Sequence, residues 1–269
     1  MCSKLAIITG ATSGLGKAFA YHLAREGWHL ILTGRRMNCL RSIQSDLEIR
    51  FMVRVRVYGV DFFNSEELNE FTQYISQLPR IDMLINNAGF GNRKDFYEES
   101  FADQNKMLKV HITATSQIIH EVVPVMKRQN NGIIINVSSL CAYLPAPLSY
   151  FYCASKAFIV SLSECMHIDL KRFNIKVQAL CPGFIKTEFH KRMGLCTHNS
   201  WLEEKILYMD KRAVVNTSLK MLSSSRVICI PGLVNKFIYQ IAQVLPKTLY
   251  YKLTTLQTNK YKNRELLST

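Results

Sequence analysis

The chain has 269 residues, of which 48% are hydrophobic and 20% are charged, and its formal net charge is +14. This length and apolar content are enough for one large α/β core, and no Gly/Ser/Pro-rich linker divides the chain, so we predict a single domain. The basic residues are spread over the whole chain without any nucleic-acid-binding motif, which argues against a nucleic-acid partner.

The expected location of the protein follows from its first strand and its cysteines. The first apolar strand is predicted to begin at residue 5, which leaves no room for a cleavable signal peptide, and no apolar run reaches the length of a membrane span. The eight cysteines lack Cys-x-x-Cys spacing, so we expect reduced thiols in core positions. No His, Asp or Glu cluster indicates a metal site. We therefore expect a soluble, cytoplasmic protein without a metal.

Seven short apolar stretches alternate with stretches of helical pattern. This alternation predicts an α/β fold of the Rossmann type, a doubly wound, seven-stranded parallel sheet flanked by helices in one domain. The predicted strands are 5–9, 29–33, 54–59, 82–86, 132–138, 175–181 and 226–230.

Local signals mark where several helices begin and end. Asn64 with Glu67, and Ser200 with Glu203, have the spacing of a capping box, so a helix is predicted to start at each pair. Gly27 is predicted to cap the end of the helix that follows the first strand. The predicted buried stripe of that helix is Leu15, Phe19, His22 and Leu23.

A glycine-rich turn separates the first strand from that helix. Its glycines allow a tight turn and a close approach of phosphate groups, and the N-terminus of the helix offers unpaired N–H groups. The turn therefore predicts a pyrophosphate-binding site, although a three-glycine turn alone is also compatible with an ordinary loop. The residues assigned to this site are Gly10, Thr12, Ser13, Gly14, Leu15 and Gly16.

The end of the second strand indicates which dinucleotide binds. Sites for NAD carry an Asp or Glu about 20 residues beyond the glycine turn, and such an acid would repel a 2′-phosphate. Here this stretch holds Arg35 and Arg36, and guanidinium groups bind phosphate through paired hydrogen bonds. The sequence therefore predicts NADP. In the alternative interpretation, one or both arginines extend into solvent.

Tyr152 and Lys156, with Ser139 upstream, form a candidate proton-transfer group. Their i,i+4 spacing in a predicted helix puts the phenol and the ammonium on one helical face. A phenol with an ordinary pKa near 10 is a poor acid–base catalyst at neutral pH, and we expect the Lys156 charge to lower the pKa of Tyr152. Tyr150 lacks this spacing and is set aside. Such a group indicates carbonyl chemistry with a dinucleotide.

These motifs resemble, in order and in spacing, those of the short-chain dehydrogenase/reductase family. The resemblance spans roughly residues 4–235. With it we expect a catalytic domain at 1–245 with a substrate-binding lid at 188–225, a basic aromatic tail at 246–269, and a homodimer or homotetramer. The motifs are Thr9-Gly10-x-x-x-Gly14-x-Gly16, Asp61, Asn86-Asn87-Ala88-Gly89, Ser139, Tyr152-x-x-x-Lys156 and Pro182-Gly183-x-x-x-Thr187.

The resemblance also implies cofactor contacts beyond the turn. It assigns Asp61 to the adenine amine and Lys156 to the nicotinamide ribose, although Asp61 is also compatible with a plain turn at a strand end. Asn136 and Ser138 are expected to tie strands and loops together. The further cofactor-binding residues are Asn87, Ala88 and Gly89 near the adenosine ribose, Val110, Tyr152, Pro182, Gly183, and Ile185 and Thr187 at the nicotinamide carboxamide.

The predicted activity is the interconversion of a carbonyl and an alcohol by hydride transfer with NADP. Tyr152 would give its proton to the developing alkoxide, and Ser139 would donate a hydrogen bond to the substrate oxygen. Apolar and aromatic loops favour a lipophilic substrate, and the resemblance leaves open ketosteroids, 3-ketoacyl groups and long-chain aldehydes. The predicted substrate-binding residues are Ser139, Tyr143, Phe184 and Phe189.

His111 departs from the family's pattern. Many relatives carry Asn in a Val-Asn pair, where its backbone carbonyl binds a water that relays protons to the lysine; here the pair is Val110-His111. Either the imidazole of His111 carries the relay and titrates near pH 6.5, or His111 packs against the sheet. We include His111 in the catalytic group as a hypothesis.

The tail at 246–269 alternates basic with apolar and aromatic residues. It is predicted to be a solvated basic tail, a segment that contacts an anionic membrane surface, or a cover over the substrate cleft. Two other functions therefore stay open beside catalysis: a non-catalytic NADP-binding regulator, and a membrane-surface binding protein that uses this tail.

Overall fold

The computed structural model describes residues 4–92, 95–185 and 208–255. Its strands are β1 (Leu5–Ile8), β2 (His29–Gly34), β3 (Val55–Gly59), β4 (Met83–Asn86), β5 (Gly132–Val137), β6 (Ile175–Leu180) and β7 (Ile228–Cys229). They form one sheet in the order β3-β2-β1-β4-β5-β6-β7, with every neighbouring pair parallel. The predicted strands are thus confirmed to within a residue or two at each end.

Helices cover both faces of this sheet, which confirms the doubly wound Rossmann-type fold. A π-helical segment, Lys109–Ala114, joins α4 to α5, and residues 247–255 are also helical. The helices are α1 (Gly14–Arg25), α2 (Met37–Phe51), α3 (Ser65–Ser76), α4 (Phe101–Leu108), α5 (Thr115–Gln129), α6 (Tyr150–Leu170), α7 (Lys211–Met221) and α8 (Leu233–Val244).

Alternate residues of the central strands belong to two hydrophobic cores, one on each face of the sheet. Ala6 and Ile8 of β1 pack with Phe19 of α1 on one face of the sheet, while Ile7 packs with Phe71 of α3 on the other. Because helices cover both faces, the strands are buried on both sides and read as continuous apolar runs.

Helix α1 begins and ends where the sequence predicts. Gly27 has a φ of +79° and donates its N–H to the Ala24 carbonyl at 2.9 Å, a left-handed conformation that favours glycine. The prediction that His22 belongs to the buried stripe is wrong, because His22 is half-buried at the edge of the helix. The buried residues are Leu15, Gly16, Phe19, Ala20, Leu23 and Ala24.

The start of α3 holds Asp61 in place. The Asn64 side chain accepts the Glu66 N–H at 2.9 Å, as expected of an N-cap. The Glu67 carboxylate accepts the Asp61 N–H at 2.8 Å and so fixes the loop before the helix. In a capping box it would instead accept the N–H of the N-cap residue, Asn64. The second predicted capping box, at 200 and 203, lies outside the described residues.

The C-terminal part of the predicted lid at 188–225 contains helix α7. Val214 and Val215 of this helix are buried in the same core as Phe19 of α1, so α7 also belongs to the layer that covers the sheet. Residues 188–207 of the predicted lid lie outside the described residues. A substrate-binding lid at 188–225 stays a prediction.

The predicted tail is described as far as residue 255. There Tyr250 donates its hydroxyl hydrogen bond to the Pro145 carbonyl at 2.7 Å, which ties the helical residues 247–255 to the loop before α6. Across the described ranges, no helix combines the length and the apolar content needed to cross a bilayer.

A buried amide network links β4, β5 and α6 and can be tested by mutation. Asn86 donates to Asn136 at 2.9 Å and Asn136 donates to Ser163 at 3.0 Å, with Asn136 fully buried. Asn136→Ala leaves the buried Asn86 amide without its acceptor and removes one of the two hydrogen bonds of Ser163, so we expect a loss of about 1 to 3 kcal/mol in the free energy of unfolding, measured by urea denaturation. Asn38→Ala, at an exposed position of α2, is the control. Equal stability of both variants would contradict the network's role.

Candidate active site

A cavity of about 620 Å³ opens at the carboxyl ends of the strands. It spans the turns after β1 and β4, the point where the strand order reverses and where open α/β sheets bind ligands. All but two of the predicted cofactor residues line it: Gly10, Thr12, Ser13, Gly14, Leu15, Arg35, Arg36, Asp61, Asn87, Ala88, Gly89, Val110, Tyr152, Lys156, Pro182, Gly183 and Ile185.

The two exceptions are Gly16 and Thr187. Gly16 is buried below the turn, where an added Cβ would lie 2.5 Å from the Gly10 carbonyl oxygen and 2.5 Å from Asn87 Nδ2. In the structure Gly16 allows close packing of α1 against the turn, and its assignment to the cofactor site stays a prediction. Thr187 lies outside the described residues.

Thr9 is a functional residue that the site prediction missed. Its hydroxyl accepts the N–H groups of Asn87 at 2.9 Å and Ala88 at 3.0 Å. In return, Asn87 Nδ2 donates to the carbonyls of Thr9 at 2.9 Å and Gly10 at 3.1 Å. These four bonds fix the glycine turn to the end of β4. The only sequence signal was the position of Thr9 directly before Gly10.

The two arginines lie at one end of the cavity. Both are exposed, and Arg36 Nη2 donates to Thr12 Oγ1 at 2.9 Å, which brings its guanidinium to the glycine turn. On the neighbouring wall, Asp61 is followed by Phe62 and Phe63, which also line the cavity and were not predicted. This end combines two cations, one carboxylate and aromatic surface, as a phosphorylated adenosine requires.

The opposite end of the cavity holds the candidate catalytic group. Tyr152 and Lys156 lie on the buried face of α6, as their spacing predicts, and are 8% and 7% exposed. Ser139 caps a short 3₁₀ turn after β5, with its hydroxyl accepting the Cys141 N–H at 3.2 Å and hydrogen-bonded to the Tyr152 phenol. Tyr150 is 43% exposed and does not line the cavity.

Two neighbours support this group as the sequence predicts. Ser138 donates its hydroxyl to the Lys156 carbonyl at 2.7 Å, and Asn136 connects β5 to α6. Lys156 Nζ donates to the Val137 carbonyl at 2.9 Å, at the end of β5. Strand β5 and helix α6 therefore hold the ammonium at a fixed position.

The electrostatics of the pair differ from the prediction. Burial raises the pKa of the Tyr152 phenol above its ordinary value, the neighbouring Cys141 sulfur adds to this, and the hydrogen bond with Ser139 opposes it. Burial also lowers the pKa of Lys156 to about 8. The net pKa shift of Tyr152 is thus upward, opposite to the expected direction, because desolvation of the phenol outweighs the effect of the Lys156 charge.

His111 is engaged by its neighbours at both ring nitrogens. Nε2 accepts the Phe90 N–H at 3.0 Å, so Nδ1 carries the proton and donates to Ser155 Oγ at 2.9 Å, and Ser155 donates to the Tyr152 carbonyl. Burial lowers the pKa of His111 well below its ordinary value, and the charge of Lys156 adds to this effect. These contacts oppose the predicted titration near pH 6.5 and favour the packing interpretation.

The helix around His111 is not regular, because it takes π-helical form over Lys109–Ala114. The ring also lies against Gly89, where an added Cβ would be 2.8 Å from Nε2. His111 therefore determines how the loop after β4 sits over α6.

Two thiols flank the candidate catalytic group. A hydrogen bond with Cys153 lowers the pKa of Cys141 to about 7. Cys39 and Cys141 are half-buried and Cys165 is exposed, so the expectation that the cysteines occupy core positions is wrong for these three. It holds for Cys153, Cys181 and Cys229, which are buried.

The predicted substrate-binding residues are only partly brought together. Ser139 lines the cavity, but the ring of Tyr143 packs against Tyr239 with centroids 4.7 Å apart, and Phe184 stacks on Tyr208 at 5.4 Å. Neither Tyr143 nor Phe184 is among the described residues that line the cavity, because these other rings engage them. Phe189 lies outside the described residues.

Several curated proteins are similar to the chain over most of its length. A very-long-chain 3-oxoacyl-CoA reductase from Rattus norvegicus is 29% identical over 270 residues, covering 98% of this chain and 82% of the relative. A sulfoacetaldehyde reductase from Chromohalobacter salexigens is 33% identical over 185 residues, covering 68% of this chain and 72% of the relative.

Solved structures share the fold. A short-chain dehydrogenase from Sphingobium yanoikuyae in complex with NADPH has a TM-score of 0.79 at 24% identity, covering 96% of this chain and 95% of its own. A 7beta-hydroxysteroid dehydrogenase has a TM-score of 0.86 at 20% identity, covering 94% and 96%. The sequence model of the short chain dehydrogenase family matches residues 4–195, and the chain therefore belongs to this family of oxidoreductases, which act on carbonyl and alcohol groups.

Proposed function

We propose that the protein is an NADP-dependent oxidoreductase that interconverts a carbonyl and an alcohol by hydride transfer, and that it reduces a lipophilic ketone or aldehyde. The observation that carries this proposal is the convergence of Ser139, Tyr152 and Lys156, each less than a tenth exposed, on the cavity that the glycine turn also lines. A proton donor, an oxygen-binding hydroxyl and a cation then lie beside a dinucleotide-sized cleft.

The residues of the cavity fit a nicotinamide dinucleotide. An added Cβ on Gly10 would lie 2.8 Å from Ala88 Cα, so only bare backbone fits at the turn, and phosphates can approach the N-terminus of α1 closely. From this turn the cavity extends to the arginines at one end and to Tyr152 at the other. When bound, the cofactor supplies or accepts the hydride.

Tyr152 is the proposed proton donor in reduction. As the carbonyl oxygen gains negative charge, the phenol transfers its proton to that oxygen, and Ser139 holds the oxygen by a hydrogen bond. Because burial raises the pKa of Tyr152, the phenol keeps its proton at neutral pH. That is the form that reduction needs, whereas alcohol oxidation needs the phenolate.

Lys156 is proposed to orient the cofactor. Its ammonium uses one of its three N–H donors for the Val137 carbonyl, which leaves two for the nicotinamide ribose hydroxyls. Its Nζ lies 5.7 Å from the centroid of the Tyr152 ring, close enough to favour a developing negative charge on the phenol.

The preference for NADP rests on Arg35 and Arg36. Both line the adenosine end of the cavity, and the contact of Arg36 with Thr12 directs its guanidinium toward the turn. Structural neighbours of the chain include a protein solved with NADPH and a protein solved with NAD, so the choice depends on this chain's own residues. Paired guanidinium groups favour a 2′-phosphate over a free ribose hydroxyl.

The proposed substrate is a lipophilic carbonyl compound, with a 3-ketoacyl group, a ketosteroid and a long-chain aldehyde as the candidates. The 3-ketoacyl class has additional support, because several of the relatives are named as very-long-chain 3-oxoacyl-CoA reductases. Phe90, beside Gly89, contributes apolar surface to the cavity. A cytoplasmic location and a homodimer or homotetramer stay predictions from the sequence.

The activity is tested by following NADPH consumption with 3-ketoacyl thioesters, steroid ketones and long-chain aldehydes. We expect Tyr152→Phe to lower kcat by at least about 100-fold, the scale of general acid catalysis, with NADPH binding nearly unchanged. Tyr150→Phe, two residues away and exposed, is the matched control and should keep the parent rate. Full activity of purified Tyr152→Phe would refute the assigned mechanism.

The NADP preference is tested by changing both arginines to alanine. Charge-assisted hydrogen bonds to phosphate contribute roughly 1.5 to 3 kcal/mol each, so the double variant should lose at least about tenfold in its ratio of kcat/KM for NADPH over NADH. Arg41→Ala, at an exposed position of α2, controls for loss of positive charge. If the parent uses NADH and NADPH equally well, the phosphate contact does not exist.

The pH profile separates the roles of Lys156 and His111. We expect kcat/KM to be flat from about pH 6 to 7.5, because His111 stays neutral there, and to fall as pH rises through about 8, where Lys156 loses its proton. His111→Asn should keep this profile, while His111→Ala should lower the melting temperature by removing the partner of the Phe90 N–H. An inflection near pH 6.5 that both substitutions abolish would restore the relay hypothesis.

A further inference from the structure

Most of the net positive charge of the chain comes from a segment near the C-terminus, because acidic residues are absent there. Between residues 211 and 264 the sequence contains ten Lys and Arg residues and neither Asp nor Glu, so this fifth of the chain supplies +10 of the net charge of +14. A cofactor site does not account for this charge, since Arg35 and Arg36 lie elsewhere in the chain. The segment that carries it includes α7, α8 and residues 247–255.

Helix α8 has an apolar face that packs against none of the described core. Leu233, Phe237, Ile241 and Val244 follow one another at helical spacing and are 83%, 63%, 42% and 81% exposed. Leu249 and Leu253, in the helical residues that follow α8, are also exposed, at 46% and 52%. Soluble proteins rarely leave so much contiguous apolar surface without a partner.

Lysines border this apolar face. Lys236, Lys247 and Lys252 are exposed along α8 and the helical residues that follow, and no carboxylate occurs in the same stretch of sequence. Lysine side chains extend past apolar surface and present their charge at its edge. We call these three lysines and the six apolar side chains of the previous paragraph the C-terminal face.

The C-terminal face is rigidly joined to the candidate active site. On the opposite side of α8, Asn235 donates to the Pro231 carbonyl at 2.9 Å, and the ring of Tyr239 packs on Tyr143. Tyr250 bonds to Pro145. Tyr143 and Pro145 both belong to the loop that follows Ser139. The C-terminal face is therefore connected to the loop that borders the proposed substrate end of the cavity.

We propose that the C-terminal face docks on the surface of an anionic lipid bilayer. An amphipathic helix with an apolar face and flanking lysines inserts its apolar side chains at the headgroup boundary, while the lysines contact anionic headgroups. The docking does not depend on the proposed catalytic function. If that function also holds, the loop after Ser139 lies next to the source of a lipophilic substrate.

Charge favours a bilayer over a second copy of the chain as the partner. A two-fold dimer through this face would bring the same surface of each copy together and would set the lysines of both copies near one another, and residues 211–264 contain no carboxylate to pair with them. An anionic bilayer supplies the opposite charge and an apolar interior at once. The lysines and the apolar side chains of the C-terminal face then both have a suitable partner.

The experiment is co-sedimentation of the full chain with vesicles of phosphatidylcholine containing roughly one third phosphatidylglycerol, and with vesicles of phosphatidylcholine alone. We expect binding to the anionic vesicles, weakening with salt, and at least about tenfold weaker binding to the neutral ones. The double variant Phe237→Glu, Ile241→Glu should lose at least about tenfold in binding to anionic vesicles. Lys236→Gln with Lys247→Gln and Lys252→Gln should reduce the salt dependence.

The matched control is Ile49→Glu with Ile168→Glu, which removes apolar side chains that are 81% and 79% exposed on α2 and α6. It should bind vesicles like the parent, and circular dichroism should show that both double variants are folded. Equal binding of the Phe237/Ile241 variant and the parent would overturn the proposal. So would a parent that ignores vesicles but sediments as a dimer that this variant dissociates, because the partner would then be a second copy. NADPH oxidation of a soluble substrate is measured separately, so failure of docking and failure of the proposed catalysis are distinguishable.

Discussion

The contact between the glycine turn and the end of β4 is the constraint on which the site depends. Thr9 and Asn87 exchange hydrogen bonds across two adjacent strands, and Gly10 and Gly16 leave no room for a side chain between them. The hydroxyl of Thr9 and the side-chain amide of Asn87 are both used in this contact, so each side chain holds the backbone of the other strand end. The cavity opens above this contact, so the contact determines where the cavity lies.

Burial sets the chemistry at the other end of the cavity. Taking Tyr152 and Lys156 out of water favours the neutral form of each, and no described carboxylate lies close enough to oppose this. The phenol keeps its proton strongly, while the ammonium keeps its proton only up to about pH 8. The protonated phenol is the form that carbonyl reduction uses as proton donor, whereas its raised pKa makes it a weaker acid than a free phenol.

The sequence predicts most of the fold and the chain positions of the site residues. It does not predict the environment of their ionisable groups. Apolar runs and the i,i+4 spacing of Tyr152 and Lys156 are local patterns, and the structure confirms the strands and the shared helical face. The pKa of Tyr152 and the contacts of His111 depend on residues distant in sequence, such as Cys141 and Phe90. The contact of Tyr143 with Tyr239 of α8 is likewise invisible in the local sequence, because the two rings lie about a hundred residues apart in the chain.

Helix α8 has apolar residues on two faces, and the link to the site explains why one of them points outward. Its inward face is fixed by Asn235, whose amide occupies the space that a Cβ on Gly183 would need, and Gly183 lines the cavity. Rotating α8 to bury Phe237 would remove Asn235 from the Pro231 carbonyl and break its contact with the Pro182-Gly183 turn. The orientation of α8 therefore maintains its contact with the Pro182-Gly183 turn at the cavity. The apolar side chains on the outer face of α8 need a partner beyond the described chain.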